Sequence, residues 1–386
     1  MNRVALRMLV GDLGKYVGIL FGLFLTSFLI TQQSAIFLGL MSRTYGAITD
    51  LGGPDIWVME PKVQFIDDIK PLADTELQRV RSIPGVAWAV PLYKGLIKAR
   101  LANGNFQTCN VLGLDDASLV GGPPVMLEGR LEDLRRADGV IVDEVGASGK
   151  LAKPAATPDG KPVPLAIGDS LELNDRRAIV VGICRVSRTF QSNPVVYTTY
   201  GRATAFAPRE RRLLSFVLVE AAAGQDPAEL ATRISAATGL LALTRDDFIT
   251  MTYTYFLKYT GIPINFGIAI VLAFLVGSAI AGLMFWNFTL DNLRHFGALK
   301  AMGASNGMLL RMIVLQAALV GALGYGMGVG VAAGFGALTA TTELAFRLPW
   351  QLLLISGTAV TVICTVSALV CIIKVVRLEP AIVFKG

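Results

Sequence analysis

Four long stretches of this chain contain no Asp, Glu, Lys or Arg: residues 16–42, 259–290, 312–342 and 348–373. About 20 mostly apolar residues suffice for a helix to cross a hydrocarbon core of about 30 Å, so each stretch is long enough to span a bilayer. The pattern predicts transmembrane helices over residues 16–42, 259–290, 306–342 and 350–373. As one helix the second stretch would measure about 48 Å, so its first turns are expected to project outward as a stalk; the alternative is coil over residues 259–264. From 43 to 258 both signs of charge return. Leu77, Val80 and Ile83 fall at helical spacing, and Pro84-Gly85 ends that run. Short strands are predicted over 86–91, 96–101, 106–114, 140–143, 170–173, 178–184, 195–200 and 216–220, with Asn103-Gly104 as a hairpin turn. Asp226-Pro227 followed by Glu229 marks a helix start and Gly239 its stop. Residues 150–164, rich in Pro, Lys and Ala, read as an exposed loop. The fold class is an integral membrane α-helical protein with four transmembrane helices and a large inserted α+β domain, whose size of about 200 residues allows its own core.

The connection over residues 291–305 differs from everything around it. Leu293, Phe296 and Leu299 recur at helical spacing among Asn292, Arg294, His295 and Lys300, which predicts a short amphipathic helix. Gly303 can stop it in the left-handed conformation, and Ser305 can cap the next helix. The alternative is an ordinary basic loop between two spans.

Composition narrows the class. Hydrophobic residues make up 53% of the chain and charged residues 17%, too apolar for an ordinary soluble protein. The net charge of +6 sits beside the apolar runs, so the positive-inside rule explains it and a nucleic-acid partner is not expected. Arg3, Arg7 and Lys15 place the N-terminal segment, residues 1–15, in the cytoplasm. The α+β domain is then extracytoplasmic, and the connection carrying Arg294, Lys300 and Arg311 is cytoplasmic. Residues 343–349 form a short outer loop, and the tail over 374–386 lies inside. A cleaved signal peptide is disfavoured, because the first run exceeds the usual apolar region and lacks a small-x-small cleavage site.

Candidate chemistry is sparse. Gly149-Lys150 is no phosphate loop, since Leu151 replaces the Ser/Thr and Glu144 the first glycine; ATP hydrolysis, if any, belongs to another chain. The only histidine, His295, has neither metal-ligand neighbours nor a paired nucleophile. No Asp, Glu, Lys or Arg lies within the four runs, which argues against proton- or sodium-coupled transport. Gln32 and Gln33, the strongest polar pair in a span, are read as interhelical hydrogen-bond formers. Cys109 and Cys184 fall on predicted strands where a disulfide is chemically possible, whereas Cys364 and Cys371, seven apart on one face of the fourth span, are read as packing. Gly324 and Gly328, and Gly326, Gly330 and Gly334, form small-xxx-small faces that let helices approach, either within the chain or at a dimer seam.

FGALKAMGAS, residues 296–305, resembles the segment after the second span of FtsX/MacB-type ABC permeases, which ends in a K-A-[LM]-G-[AS] pattern; Gly297, Lys300, Ala301, Met302, Gly303 and Ala304 match it. The resemblance extends to the order of one span, a large outer domain and three spans, and to the closing RLEPAIVFKG. His295 stands where many members carry an acidic residue. The resemblance implies a MacB-like periplasmic domain, location in a bacterial inner membrane, a second copy of the chain and a separate ABC ATPase subunit. ATP and magnesium would bind that ATPase; no cofactor is expected on this chain, which is read as non-catalytic. It implies ATPase coupling through Arg294, His295, Phe296, Gly297, Leu299, Lys300 and Gly303, with Phe296 and Leu299 seated in an ATPase groove and Arg294 and Lys300 supplying polar contacts. It points to export with a periplasmic adaptor and an outer-membrane channel, as in DevC-type permeases. The alternatives are a non-transporting scaffold that activates a cell-wall hydrolase and a lipoprotein-releasing permease.

Overall fold

The computed structural model describes residues 2–154, 161–208, 213–339 and 342–376, in two compact units: residues 1–40 with 261–386, and residues 41–260. The middle of the predicted 150–164 loop and the tail that carries RLEPAIVFKG lie outside the described residues.

In chain order, α1 (Asn2–Gly11) precedes α2 (Leu13–Thr44) and the short α3 (Gly46–Asp50). Then follow β1 (Ile56–Met59), α4 (Thr75–Arg81), β2 (Val86–Arg100), β3 (Phe106–Leu114), β4 (Val125–Glu128), β5 (Gly139–Asp143), α5 (Glu144–Ser148), β6 (Ser170–Leu173), β7 (Arg176–Arg185) and β8 (Val195–Thr199). The chain continues through α6 (Tyr200–Phe206), β9 (Phe216–Ala221), α7 (Pro227–Thr238), β10 (Leu241–Thr244), α8 (Arg245–Tyr259), α9 (Ile262–Asp291), α10 (Leu293–Ala301), α11 (Asn306–Leu338) and α12 (Trp350–Val376). Helices α2, α9, α11 and α12 are long and apolar enough to cross a membrane.

Residues 41–260 build one ten-stranded sheet in the order β10-β1-β9-β2-β3-β8-β5-β7-β4, with β6 against β2 and β7. Among the described residues only β3/β8 and β5/β7 run parallel. Alternation assigns the two faces. Trp57, Leu92, Leu112, Ile141, Tyr197, Phe216 and Leu218 share one core with Phe248 of α8. Their neighbours point the other way, into a core with Ala203 of α6 or one with Leu230 and Ile234 of α7. The two strands expected over 86–91 and 96–101 are a single strand: Trp88–Leu92 pair with β9 and Tyr93–Arg100 with β3. Tyr200, expected to end β8, instead begins α6. Asp226 caps α7 by accepting from the Ala228 amide, and Gly239 ends it at φ 76°. Cys109 and Cys184 are free and belong to cores on opposite faces, so the disulfide does not form. Burial pushes both thiols up to about 12.

The expected 259–290 helix starts only at Ile262, because Tyr259 closes a separate helix. Thr244 caps α8 by accepting from the Asp247 amide, α8 closes at Tyr259, and α9 opens at Ile262 with Pro263 in its first turn, where a missing amide costs nothing. Within the apolar unit α2 lies between α9 and α11. A Cβ on Gly277 would overlap Thr26, and one on Gly22 would sit 2.8 Å from the Ile280 side chain. On the other side, Gly324 would meet Leu23 at 2.7 Å and Gly328 the Phe28 amide at 2.7 Å. Gly326, Gly330 and Gly334 have nothing within 4 Å of their Cβ positions. One small-residue face is thus internal packing, and the other meets no part of the described chain. Gln32 and Gln33 make no side-chain hydrogen bond among the described residues. The buried Gln316 does, its Nε2 donating to the Ala5 carbonyl at 2.8 Å and holding α1 to α11.

Candidate functional site

The segment between α9 and α11 is built around one buried side chain. Asn292 closes α9, with its Nδ2 donating to the Phe288 carbonyl at 2.9 Å, and its own carbonyl accepts from the Phe296 amide at 3.0 Å. Helix α10 ends in a paired motif: the Ala304 amide donates to the Leu299 carbonyl and the Gly303 amide to the Lys300 carbonyl, with Gly303 at φ 95°. That 6→1 and 5→2 arrangement needs a left-handed residue, which glycine adopts without a steric cost. Ser305 then accepts from the Met308 amide at 3.3 Å and starts α11.

Phe296 is fully buried, in a cluster with Ala5 and Leu9 of α1, Phe288 of α9, and Leu309 and Met312 of α11. Leu293 and Leu299 are half-buried against the same cluster, and Gly297 is buried. The expectation that Phe296 sits in a partner's groove is therefore corrected: the apolar stripe of α10 faces the chain's own core. Lys300 is half-buried and its Nζ donates to the Val376 carbonyl at 3.1 Å, so it ties α10 to the end of α12. The surface that remains is Arg294, His295, Ala298, Ala301, Met302 and Gly303, with Met302 76% exposed. In the sequence Met302 is no more than a motif match, because its apolar character gives no sign of facing outward.

Three further contacts brace the same end of the helices. Lys15, at the start of α2, pairs with Asp12 at 2.7 Å and with Asp291 at the end of α9, and Gln316 holds α1. Both acids lie just outside the apolar runs, where the sequence pattern marks only the end of a span. Among the described residues no three His, Cys, Asp or Glu side chains are grouped as a metal site.

The comparisons with known proteins agree with this architecture. The FtsX-like permease C-terminal family matches residues 267–380. The MacB-like periplasmic core domain matches residues 18–237, more than half of the chain. An uncharacterised ABC transporter permease of Mycobacterium tuberculosis (strain H37Rv) is 25% identical over 342 residues, covering 87% of this chain and 86% of its own. The periplasmic region of MacB from Actinobacillus actinomycetemcomitans is similar at 14% identity with a TM-score of 0.37, over 53% of this chain and 94% of that one. The extracellular domain of the transporter YknZ from Gram-positive bacteria gives 11% and 0.34, over 50% and 99%. Scores this low carry no argument, and the assignment rests on the sequence families. With its outer-domain region and its last three apolar helices each matched in order, the chain belongs to the FtsX/MacB-type family of ABC transporter permeases, membrane proteins with an extracytoplasmic domain.

Proposed function

We propose that this permease passes ATP-driven motion from a separate ATPase, which holds ATP and magnesium, through α10 and the membrane helices to the extracytoplasmic domain, and that the moving domain drives export with an adaptor and an outer-membrane channel. In this reading both termini are cytoplasmic, α10 is the coupling helix, and a second copy completes the permease. The observation that carries it is the division of α10 into two faces. Phe296 and Lys300 fasten the helix to α1, α9, α11 and α12, while Arg294, His295, Ala298, Ala301 and Met302 stay exposed. A push on that exposed face would reach all four apolar helices together, since their side chains form one packed cluster and close-packed interiors transmit displacement.

The test is purification of the full chain from native membranes in mild detergent, with Met302→Asp beside the parent. An ABC-class ATPase should be retained by the parent and lost from the variant, which replaces an exposed side chain and should insert normally. Equal retention by both would overturn the role of α10. Recovery of a cell-wall hydrolase in place of an adaptor would replace export by the scaffold reading.

A further inference from the structure

We infer that the turn over residues 187–193, between β7 and β8, is the joint at which the ten-stranded sheet grips both segments that lead toward the membrane, with Ser187 and Phe190 as its positioning residues. The inference rests on the proposal that motion reaches this domain and names where the domain would receive it.

One grip is on the segment that extends α2. Ser187 donates twice to the Asp50 carboxylate, from its amide at 2.6 Å and from its hydroxyl at 2.9 Å. A paired bond to one carboxylate fixes orientation as well as distance. Burial pushes the Asp50 carboxyl up despite these bonds. Gly46 allows the approach, because a Cβ there would sit 2.9 Å from the Ser187 Cβ. One turn earlier, Arg43 donates to the Ser192 hydroxyl at 3.3 Å. Arg43 belongs to α2 itself and is the first charged residue after the apolar run, so this grip acts on the emerging end of the span.

The second grip is on α8, which ends just before α9. The Phe190 ring lies 5.0 Å from Phe256 of α8, and Phe65 stacks on Tyr255 at 4.4 Å and meets Phe256 at 5.4 Å. Aromatic pairs at such separations attract one another beyond the area they bury. The two segments also touch directly, since Arg245 of α8 donates to the Thr49 carbonyl at 2.6 Å.

The turn is stiff enough to pass force on. The Ser192 amide donates to the Thr189 carbonyl at 2.9 Å and the Asn193 amide to the Thr189 hydroxyl at 3.0 Å, while Lys150 donates to the Ser192 carbonyl at 2.8 Å. Ser192 holds φ 52°, a conformation that side-chain-bearing residues adopt only when their surroundings impose it. Its far end runs straight into β8, where the Val195 amide donates to the buried Asp143 carboxylate at 2.6 Å. A displacement of either segment therefore enters the sheet at β7 and β8.

The test uses the full chain assembled with its ATPase in lipid nanodiscs, with spin labels at Lys98→Cys on the sheet and Gln351→Cys at the start of α12. The distance between them is measured without nucleotide and after trapping with ADP and vanadate, alongside ATP hydrolysis. The parent should show an ATP-linked shift. Ser187→Ala with Phe190→Ala should lose the shift while hydrolysis continues, and Ser187→Thr with Phe190→Tyr should restore it, a pattern that a general loss of folding would not give. Ser187→Ala alone, which removes one hydroxyl, carries the test if the double variant misfolds. A full shift in the alanine variants would overturn the joint and leave the transmission reading standing. No shift in the parent would remove the transmission reading and the joint with it.

Discussion

Asp143 closes β5 with a buried carboxylate that accepts from the Gly146 amide at 2.8 Å and the Val195 amide at 2.6 Å. Burial outweighs those bonds and pushes its carboxyl up. A raised value means the folded chain holds the proton more tightly than the unfolded one. The contribution of Asp143 is thus most favourable below the ordinary carboxylate value of about 3.9 and is lost as pH rises through the raised value. Unfolding of the parent and of Asp143→Asn, followed from acidic to neutral pH, should show a flatter dependence in the variant. Asp50, pushed up in the same way, should leave a residual slope. At this scale the sequence is informative about residue type and weak on direction. The stripe of Leu293, Phe296 and Leu299 was legible, but an amphipathic helix has the same pattern whether its apolar face meets a partner or its own core. Gln316 and Gln32 are alike as letters; only the packing of α1 gives Gln316 an acceptor.

The helices of the apolar unit are fitted together by their glycines, and not all of them count equally. Gly328 approaches the Phe28 amide and Phe24 carbonyl of α2, and backbone cannot rotate away from an added side chain. Gly328→Val should lower the melting temperature in detergent, at a cost of about 1–3 kcal/mol typical of overpacking. Gly330→Val, with open space at its Cβ position, should leave the melting temperature near that of the parent. Equal effects would contradict the assignment of the two faces. The spans and α7 were legible because uncharged length and terminal signals such as Asp226-Pro227 and Gly239 are local. Helix α8 was not: Ile249, Met251, Tyr253 and Tyr255 alternate as a strand would, and the Thr244 cap with Asp246 and Asp247 in the first turn decides for helix. Strand β1, IWVM, is buried on both faces and too short to show any period.

At the scale of the whole molecule, the division into two units follows from separate cores. The three clusters of the sheet domain draw only on residues within 41–260. A chain limited to those residues, exported to an oxidising compartment, should be recovered soluble and unfold in a single cooperative transition; broad melting or aggregation would show that the apolar unit is needed to complete the fold. The domain's outline was legible in the return of charge after residue 42, whereas its inner boundary at Thr260 was hidden inside an uncharged run. Strand β2 adds a constraint of another kind. It gives Ala89 to one core, Leu92 to a second and Tyr93 to a third, so beyond the irregularity between Val86 and Trp88 its positions are counted odd or even. A single codon inserted just before Ala89 and not absorbed as a bulge would turn each later side chain to the wrong face and disturb three cores at once. Lineages that carry this domain can lengthen or shorten the hairpin tip around Asn103 freely, but within β2 only changes of two residues keep the parity on which the domain's interior depends.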